Sequence, residues 1–292
     1  MKLGFIGLGE MGRPLALHLM ERGYAMAVYG RRRALLEPLL ARGATPCATA
    51  AQLAGQCDVV FTMLTATRDV EQVLFDPGGV IDGAQPGGLV IDMGTISPTA
   101  TREFAARLFR KGIDMLDAPD TGGPEGARKA TLTIMVGGKA EVLQRARPLL
   151  DCLGTTVLHM GDHGAGQATK ACHQLALLVA AQGVAEALAL AGRCGLDLAL
   201  VQKAMMGGLA SSRVLELFGT RMISRDFTAG IPTRLYHKDL QIGLDVAHTL
   251  GAAVPAAALT MQYINRLIER GRGHDDLSAL VTVVEDLDAP VQ

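Results

Sequence analysis

The stretch KLGFIGLGEMG, residues 2–12, constrains this chain more than any other. A short apolar run, 2–6, ends in a glycine-rich turn, and a helical pattern from Met11 to Arg22 follows before Gly23 closes it. Within the turn, Gly7-Leu8-Gly9-Glu10-Met11-Gly12 has the spacing GxGxxG. Between a strand and a helix, that spacing points to a dinucleotide. The first glycine makes the tight turn, the second lets a pyrophosphate approach the backbone, and the third lets helix and strand pack closely. The helix amino terminus adds N–H groups and a positive dipole end that face the anion.

The pattern continues in kind. Residues 25–29 (AMAVY) read as a second strand, and further strands are expected at 58–63, 88–92, 113–117, 131–136 and 155–159. Helical stretches lie between most of them, including 98–111 and 139–151. Strands separated by helices imply parallel pairing through right-handed crossovers, hence an α/β fold with a Rossmann-type doubly wound sheet. After about residue 163 the strand-like alternation stops. A long apolar helix, about 166–193, leads into helical patterns near 197–206, 211–223, 236–250, 256–270 and 275–286. The expected organisation is a dinucleotide-binding domain over 1–163 and an all-helical domain for substrate and oligomerisation over 164–292, with the long helix as the bridge.

Other classes fit poorly. A net charge of −1 offers no overall field for a nucleic acid or a membrane surface. The amino-terminal stretch lacks the h-region and cleavage site of a signal peptide, and the apolar run 175–191 carries Gln182 and Glu186, as a buried core helix does. Cys47, Cys57, Cys152, Cys172 and Cys194 show no CxxC spacing, so neither a zinc site nor a disulfide framework is expected, and a reducing cytoplasm is. His18, His159, His163, His237, His248 and His274 lack metal-ligand spacing.

The end of the second strand separates the two nicotinamide cofactors. An NAD site usually carries Asp or Glu there for the ribose 2′-OH. This chain has Tyr29-Gly30 and then Arg31-Arg32-Arg33. No carboxylate repels a 2′-phosphate, and guanidiniums stand ready to pair with it. NADP(H) is expected, through Arg31 first and Arg32 second, with NAD(H) the alternative; the plain competing reading is a solvated basic face.

Five ordered segments carry a wider likeness: GFIGLGEMGRPLALHL (4–19), DMGTISP (92–98), DAPDTGGPEGARKATLTIMVGG (117–138), GAGQATKACHQL (164–175) and HKDL (237–240). Together they resemble the β-hydroxyacid dehydrogenase family, which includes 3-hydroxyisobutyrate dehydrogenase and tartronate semialdehyde reductase. The resemblance implies NAD(P)-linked interconversion of a small β-hydroxy acid and its semialdehyde or keto acid. It makes Lys170 the proton-transfer residue. Thr95 then meets the cofactor, Leu64-Thr65 line its cleft, and Lys238, in a helix-start motif, approaches the nicotinamide end. It also implies a homodimer or homotetramer built through the helical domain.

The chemistry is coherent on its own terms. Carbonyl reduction needs a hydride at carbon and a proton for the developing alkoxide, and a lysine can supply the proton. Lys170, His173 and Gln174 share a helix face through i, i+3 and i+4 spacing. A substrate carboxylate needs an anion holder, and Thr121-Gly122-Gly123 offers a hydroxyl and closely approachable N–H groups.

Three residues depart from the family pattern. Asp120 stands where an apolar residue, commonly Val, is usual. Either it caps the loop or pairs with Arg128 or Lys129, or it contacts substrate hydroxyls or an amine. Thr121 replaces Ser and keeps the hydroxyl. His173 stands where Asn is usual, and its pairing with Gln174 is similar to sugar-acid dehydrogenases of the threonate type, which points to a hydroxylated acid. Two competing functions remain: an imine reductase or reductive aminase on the same architecture, many of which lack the lysine, and a cofactor-binding protein without catalysis.

Overall fold

The apolar run at the amino terminus forms the strand Lys2–Ile6 (β1), and the glycine turn delivers the chain into the helix Gly12–Glu21 (α1). Described here for residues 1–287 of a computed structural model, the chain divides into two compact units, Met1–Lys170 and Ala171 onward. The remaining strands, all in the first unit, are Ala25–Tyr29 (β2), Thr45–Pro46 (β3), Val59–Thr62 (β4), Leu89–Asp92 (β5), Asp114–Asp117 (β6), Asp120–Thr121 (β7), Leu132–Gly137 (β8) and Gly154–Gly161 (β9). Between them run Glu37–Leu40 (α2), Ala50–Ala54 (α3), Thr67–Phe75 (α4), Val80–Gly83 (α5), Pro98–Phe109 (α6), Gly123–Lys129 (α7) and Ala140–Leu150 (α8).

The sheet order is β3-β2-β1-β4-β5-β6-β8-β7, with β9 paired to β8. Every residue of β4 and β5 is buried. That is why these strands read as unbroken apolar runs: a parallel sheet is covered on both faces. The two-residue period still sorts the side chains. Leu3, Phe5, Val59, Phe61, Leu89 and Ile91 pack with Leu15, Ala16 and Leu19 of α1 on one face. Ile6, Val60 and Val90 pack with Leu74 of α4 and Phe104 and Leu108 of α6 on the other. Phe5 and Phe61 stack across β1 and β4 with centroids 5.6 Å apart.

The expectation of parallel pairing throughout is corrected at the far edge. β8 runs antiparallel to β6 and β7 and parallel to β9. Between β7 and β8 lies only the seven-residue α7, too short a connection for a parallel crossover, so the chain reverses. Residues 120–121, read as loop, are therefore strand.

Gly12 marks the tightest approach in the first unit. A Cβ there would overlap the Gly7 carbonyl oxygen and sit 3.0 Å from the Phe5 ring. Since backbone is the obstacle, Gly12→Ala should cost about 1–3 kcal/mol of stability, measured as a lowered denaturant midpoint, with weaker dinucleotide binding alongside.

The second unit is all helix. Ala165–Arg193 (α9) starts before the boundary and is followed by Leu198–Met206 (α10), Thr220–Ser224 (α11), Thr233–Leu250 (α12), Pro255–Leu267 (α13) and Leu280–Leu287 (α14). α9 is long and apolar enough by composition to cross a membrane. Here Leu178, Ala181, Val184, Ala185 and Leu188 form its contribution to the second core, with Tyr236, Leu240, Ile264 and Leu280. Two expected helices are broken by wide π turns, Leu215–Gly219 and Ile268–Arg272; the second contains Gly271 at φ +76°. α12 begins at Thr233, so HKDL lies in its second turn rather than at its start.

Candidate active site

The strand order reverses at β1, between β2 and β4, and a doubly wound sheet binds ligands beyond the carboxyl ends of its strands at such a point. Three loops converge there. Gly7, at φ +98°, has no room for a side chain: a Cβ would overlap the Met63 carbonyl oxygen and lie 3.1 Å from the Leu64 side chain. Gly94, in the loop after β5, is pressed in turn against the Leu64 backbone. Gly7 and Gly12 are thus glycines because the protein itself leaves no space. Gly9 is different. A Cβ there would meet nothing within 4 Å among the described residues. Packing does not require that glycine, and the open space beside it is what a pyrophosphate lying on the backbone would need. Leu8 is buried, Met11 half-buried, and Glu10 is exposed beside Arg13 at 3.7 Å. Thr65 is exposed with its hydroxyl 3.3 Å from Asp69, and Thr95 is half-buried next to Gly94.

Past the end of β2, Arg31 and Arg32 are exposed and enter no ion pair among the described residues, whereas Arg33 is engaged with Glu37 at 3.2 Å. The available cations are therefore the first two.

Beside these loops the ends of β4, β5 and β6 align in register as Thr62, Asp92 and Asp117, all fully buried. The Thr62 hydroxyl donates to Asp92 at 2.6 Å. Asp117 accepts from the backbone N–H groups of Gly164 (2.8 Å) and Gln167 (3.0 Å), which ties the start of α9 to the sheet. Burial raises the Asp117 carboxyl above its ordinary range, while these N–H bonds and His163 pull it back. Gln167, also fully buried, donates to the Gly94 carbonyl at 2.7 Å and accepts from the Ile96 N–H at 3.1 Å. It clamps the loop that carries Thr95. One turn beyond Gln167, Lys170 is buried and its Nζ donates to the backbone carbonyl of Asp120 at 2.6 Å. β7 lies at the edge of the sheet, which leaves that carbonyl outside the ladder to be met by a side chain.

Asp120, Asp117, Gln167 and Lys170 thus form one connected cluster, of which the sequence pattern singled out only Asp120 and Lys170. Asp117 opens the segment 117–138, but its partners are 47 and 50 residues away. Asp117→Ala removes the acceptor of two buried N–H groups and is expected to cost about 2–4 kcal/mol, read from the unfolding midpoint, with Asp117→Asn in between. A midpoint unchanged by either substitution would show that α9 needs no such anchor.

The Asp120 carboxyl is not paired with Lys129, which is exposed and bound to Glu125 at 2.7 Å. It is buried, and its Oδ2 has no hydrogen-bond partner among the described residues. Burial raises it from 3.8 to about 6, with Lys170 pulling the other way. Because the folded value lies above the unfolded one, the native state holds this proton more tightly. Its contribution to stability is complete below pH 3.8 and is lost as pH rises through 6, by roughly 3 kcal/mol. Next in the chain, Thr121 is half-buried, and Gly122 and Gly123 adopt φ of +133° and +62°. Only glycine holds these without strain.

In the second unit a polar chain runs through buried surroundings. Lys238 Nζ bonds Asp239 Oδ1 (2.8 Å), Gln174 Nε2 donates to Asp239 Oδ2 (2.5 Å), and His173 Nδ1 meets Gln174 Oε1 (2.9 Å). The carboxylate sets which way the Gln174 amide points. The amide oxygen then requires a proton on Nδ1 of His173. No group of three or more His, Cys, Asp or Glu among the described residues is arranged to hold a metal ion.

Residues 2–161 match the NAD binding domain of 6-phosphogluconate dehydrogenase, and residues 164–284 match the family described as NAD-binding of NADP-dependent 3-hydroxyisobutyrate dehydrogenase. The chain is similar to the 2-hydroxy-3-oxopropionate reductase of Escherichia coli (strain K12), with 40% identity over 285 residues, covering 98% of this chain and 97% of the relative. It is also similar to the NAD-dependent L-serine dehydrogenase of Pseudomonas aeruginosa, 35% identical over 298 residues and covering 100% and 99%. Among solved structures, the Mycobacterium tuberculosis 3-hydroxyisobutyrate dehydrogenase with L-serine superposes with a TM-score of 0.90 at 31% identity, over 99% of each chain.

Proposed function

Because the chain belongs to the β-hydroxyacid dehydrogenase family of NAD(P)-dependent oxidoreductases acting on CH–OH groups, we propose that it interconverts a small β-hydroxy acid and its semialdehyde or keto acid, preferring NADP(H), with Lys170 transferring the proton. The observation that carries this reading is the setting of Lys170. It is a buried ammonium held by the Asp120 carbonyl, one turn beyond the glutamine that clamps the Thr95 loop.

The cofactor fits the residues that are present: Gly9 leaves the space its pyrophosphate needs on the turn that Gly7 and Gly12 allow to close, Leu64, Thr65 and Thr95 flank that space, and Arg31 and Arg32 answer a 2′-phosphate. When bound, it supplies or accepts the hydride. The protein handles the proton and the substrate's charge. In reduction Lys170 gives a proton to the oxygen that becomes the hydroxyl, and in oxidation it takes that proton back. The Asp120 carbonyl aims the ammonium. Thr121 with the backbone of Gly122 and Gly123 holds the substrate carboxylate, close approach being open because neither glycine carries a Cβ. One helical turn beyond Lys170, His173 in its Nδ1–H form bonds a substrate hydroxyl, which favours hydroxylated acids.

The test is to titrate the purified protein with NADPH and NADH separately, then assay the tighter cofactor with semialdehydes, keto acids and cyclic imines. Tighter NADPH binding with turnover of a carboxylate-bearing aldehyde supports the reading. Turnover of imines alone would replace it with reductive amination chemistry, and tight binding without turnover of any compound would leave a dinucleotide-binding protein.

A further inference from the structure

Asp120 is an expensive residue to keep. Its carboxyl lies in the interior, one oxygen has no partner among the described residues, and Lys170 donates to the Asp120 backbone carbonyl. Lys129 is committed to Glu125. A buried acceptor without a donor lowers stability and returns nothing to the free protein. Such a group is understandable where a ligand brings the missing donor.

Its position says which part of a ligand that is. On the function proposed above, on which this inference rests, Lys170 meets the oxygen on the reacting carbon, and residues 121–123 meet the carboxylate. Asp120 adjoins both groups: its own carbonyl holds Lys170, and its next neighbour in the chain is Thr121. In a three-carbon backbone with the reacting oxygen on carbon 3 and the carboxylate as carbon 1, the part between is carbon 2. We propose that the Asp120 carboxyl selects substrates by accepting a hydrogen bond from a hydroxyl or ammonium group on carbon 2. The pocket is then built for 2-hydroxy and 2-amino 3-hydroxy acids and against acids with hydrogen or methyl at that carbon. Desolvation enforces the choice: a methyl group would leave the buried oxygen unpaired while also excluding water from it. An ammonium has the further merit of offsetting the repulsion between Asp120 and the substrate carboxylate.

The experiment compares four acids that differ only at carbon 2: glycerate (hydroxyl), serine (ammonium), 3-hydroxyisobutyrate (methyl) and 3-hydroxypropionate (hydrogen). Each is assayed for kcat/KM with NADP+ and, separately, for Kd against the protein–NADP+ complex by calorimetry. In the wild type, glycerate or serine should exceed 3-hydroxyisobutyrate by on the order of 100-fold in both measures. Asp120→Val should level or invert that ratio. Asp120→Asn keeps the shape and an acceptor oxygen but loses the charge, so it should retain the preference for glycerate and lose that for serine. Unaltered NADP+ affinity in both variants shows that they fold. A wild type that favours the methyl acid, or an Asp120→Val variant that keeps the wild-type ratio, overturns the assignment. Failure of the dehydrogenase reading looks different: none of the four acids turns over in the wild type, and the calorimetric ratios still decide the role of Asp120.

Discussion

With Lys170 changed to methionine, kcat is expected to fall by about 10²–10⁴-fold while the affinity for NADPH stays within a factor of about two. Methionine keeps the length and the apolar stem of the side chain and removes only the ammonium. The stability cost should be small, about 1 kcal/mol, because the Asp120 carbonyl loses a single donor. A large kinetic effect beside a small structural one separates proton transfer from support of the helix. Lys170→Ala, which empties the space, gives a second readout, since an added alkylammonium entering it should restore part of the rate, more for methylamine than for bulkier amines. Retention of kcat within tenfold would remove Lys170 from the chemistry and leave it as a tether between α9 and β7.

Replacing Arg31 and Arg32 together by alanine is expected to weaken NADPH binding by about 10²–10³-fold and to leave NADH binding nearly unchanged, so that the cofactor preference reverses. Two charge-assisted contacts to the 2′-phosphate are lost in the first case, and no such group is present in the second. Both side chains are exposed, so the wild-type preference should shrink in high salt. Arg33→Ala is the internal control. That guanidinium is already held by Glu37, and its removal should alter NADPH affinity by less than about threefold. Equal losses for both cofactors in the double variant would mean that the arginines serve the turn itself.

These expectations draw on the sequence and on the folded structure to different degrees. The strands β1, β2, β4 and β5 were legible in the chain because burial on both faces leaves short apolar runs between polar turns. The glycine turn was legible as well, through spacing alone. Its three glycines nonetheless have different reasons, which spacing does not reveal: Gly7 and Gly12 press on backbone, and Gly9 faces open space. The far edge of the sheet was not legible. β7 is two residues long, and no periodicity can be read in two residues; its antiparallel pairing follows from the shortness of α7, a tertiary outcome.

The site divides along the same line. Lys170, His173, Thr121 and the residues expected to face the cofactor stood in motifs, local strings whose chemistry can be recognised one segment at a time. The sequence by itself thus determined the dinucleotide turn and the class of both halves of the chain, and it singled out Lys170 as the candidate for proton transfer. Only the folded structure decided that Asp117 anchors the helix bearing that lysine, that Gln167 clamps the loop after β5, and that Asp120 keeps a carboxylate oxygen in the interior with no partner among the described residues. The physical reason is common to all three. Hydrogen bonds that join residues 47 to 73 positions apart impose no repeat on the chain, and the cost of burying a charge depends on what surrounds it after folding, not on what precedes and follows it in the sequence.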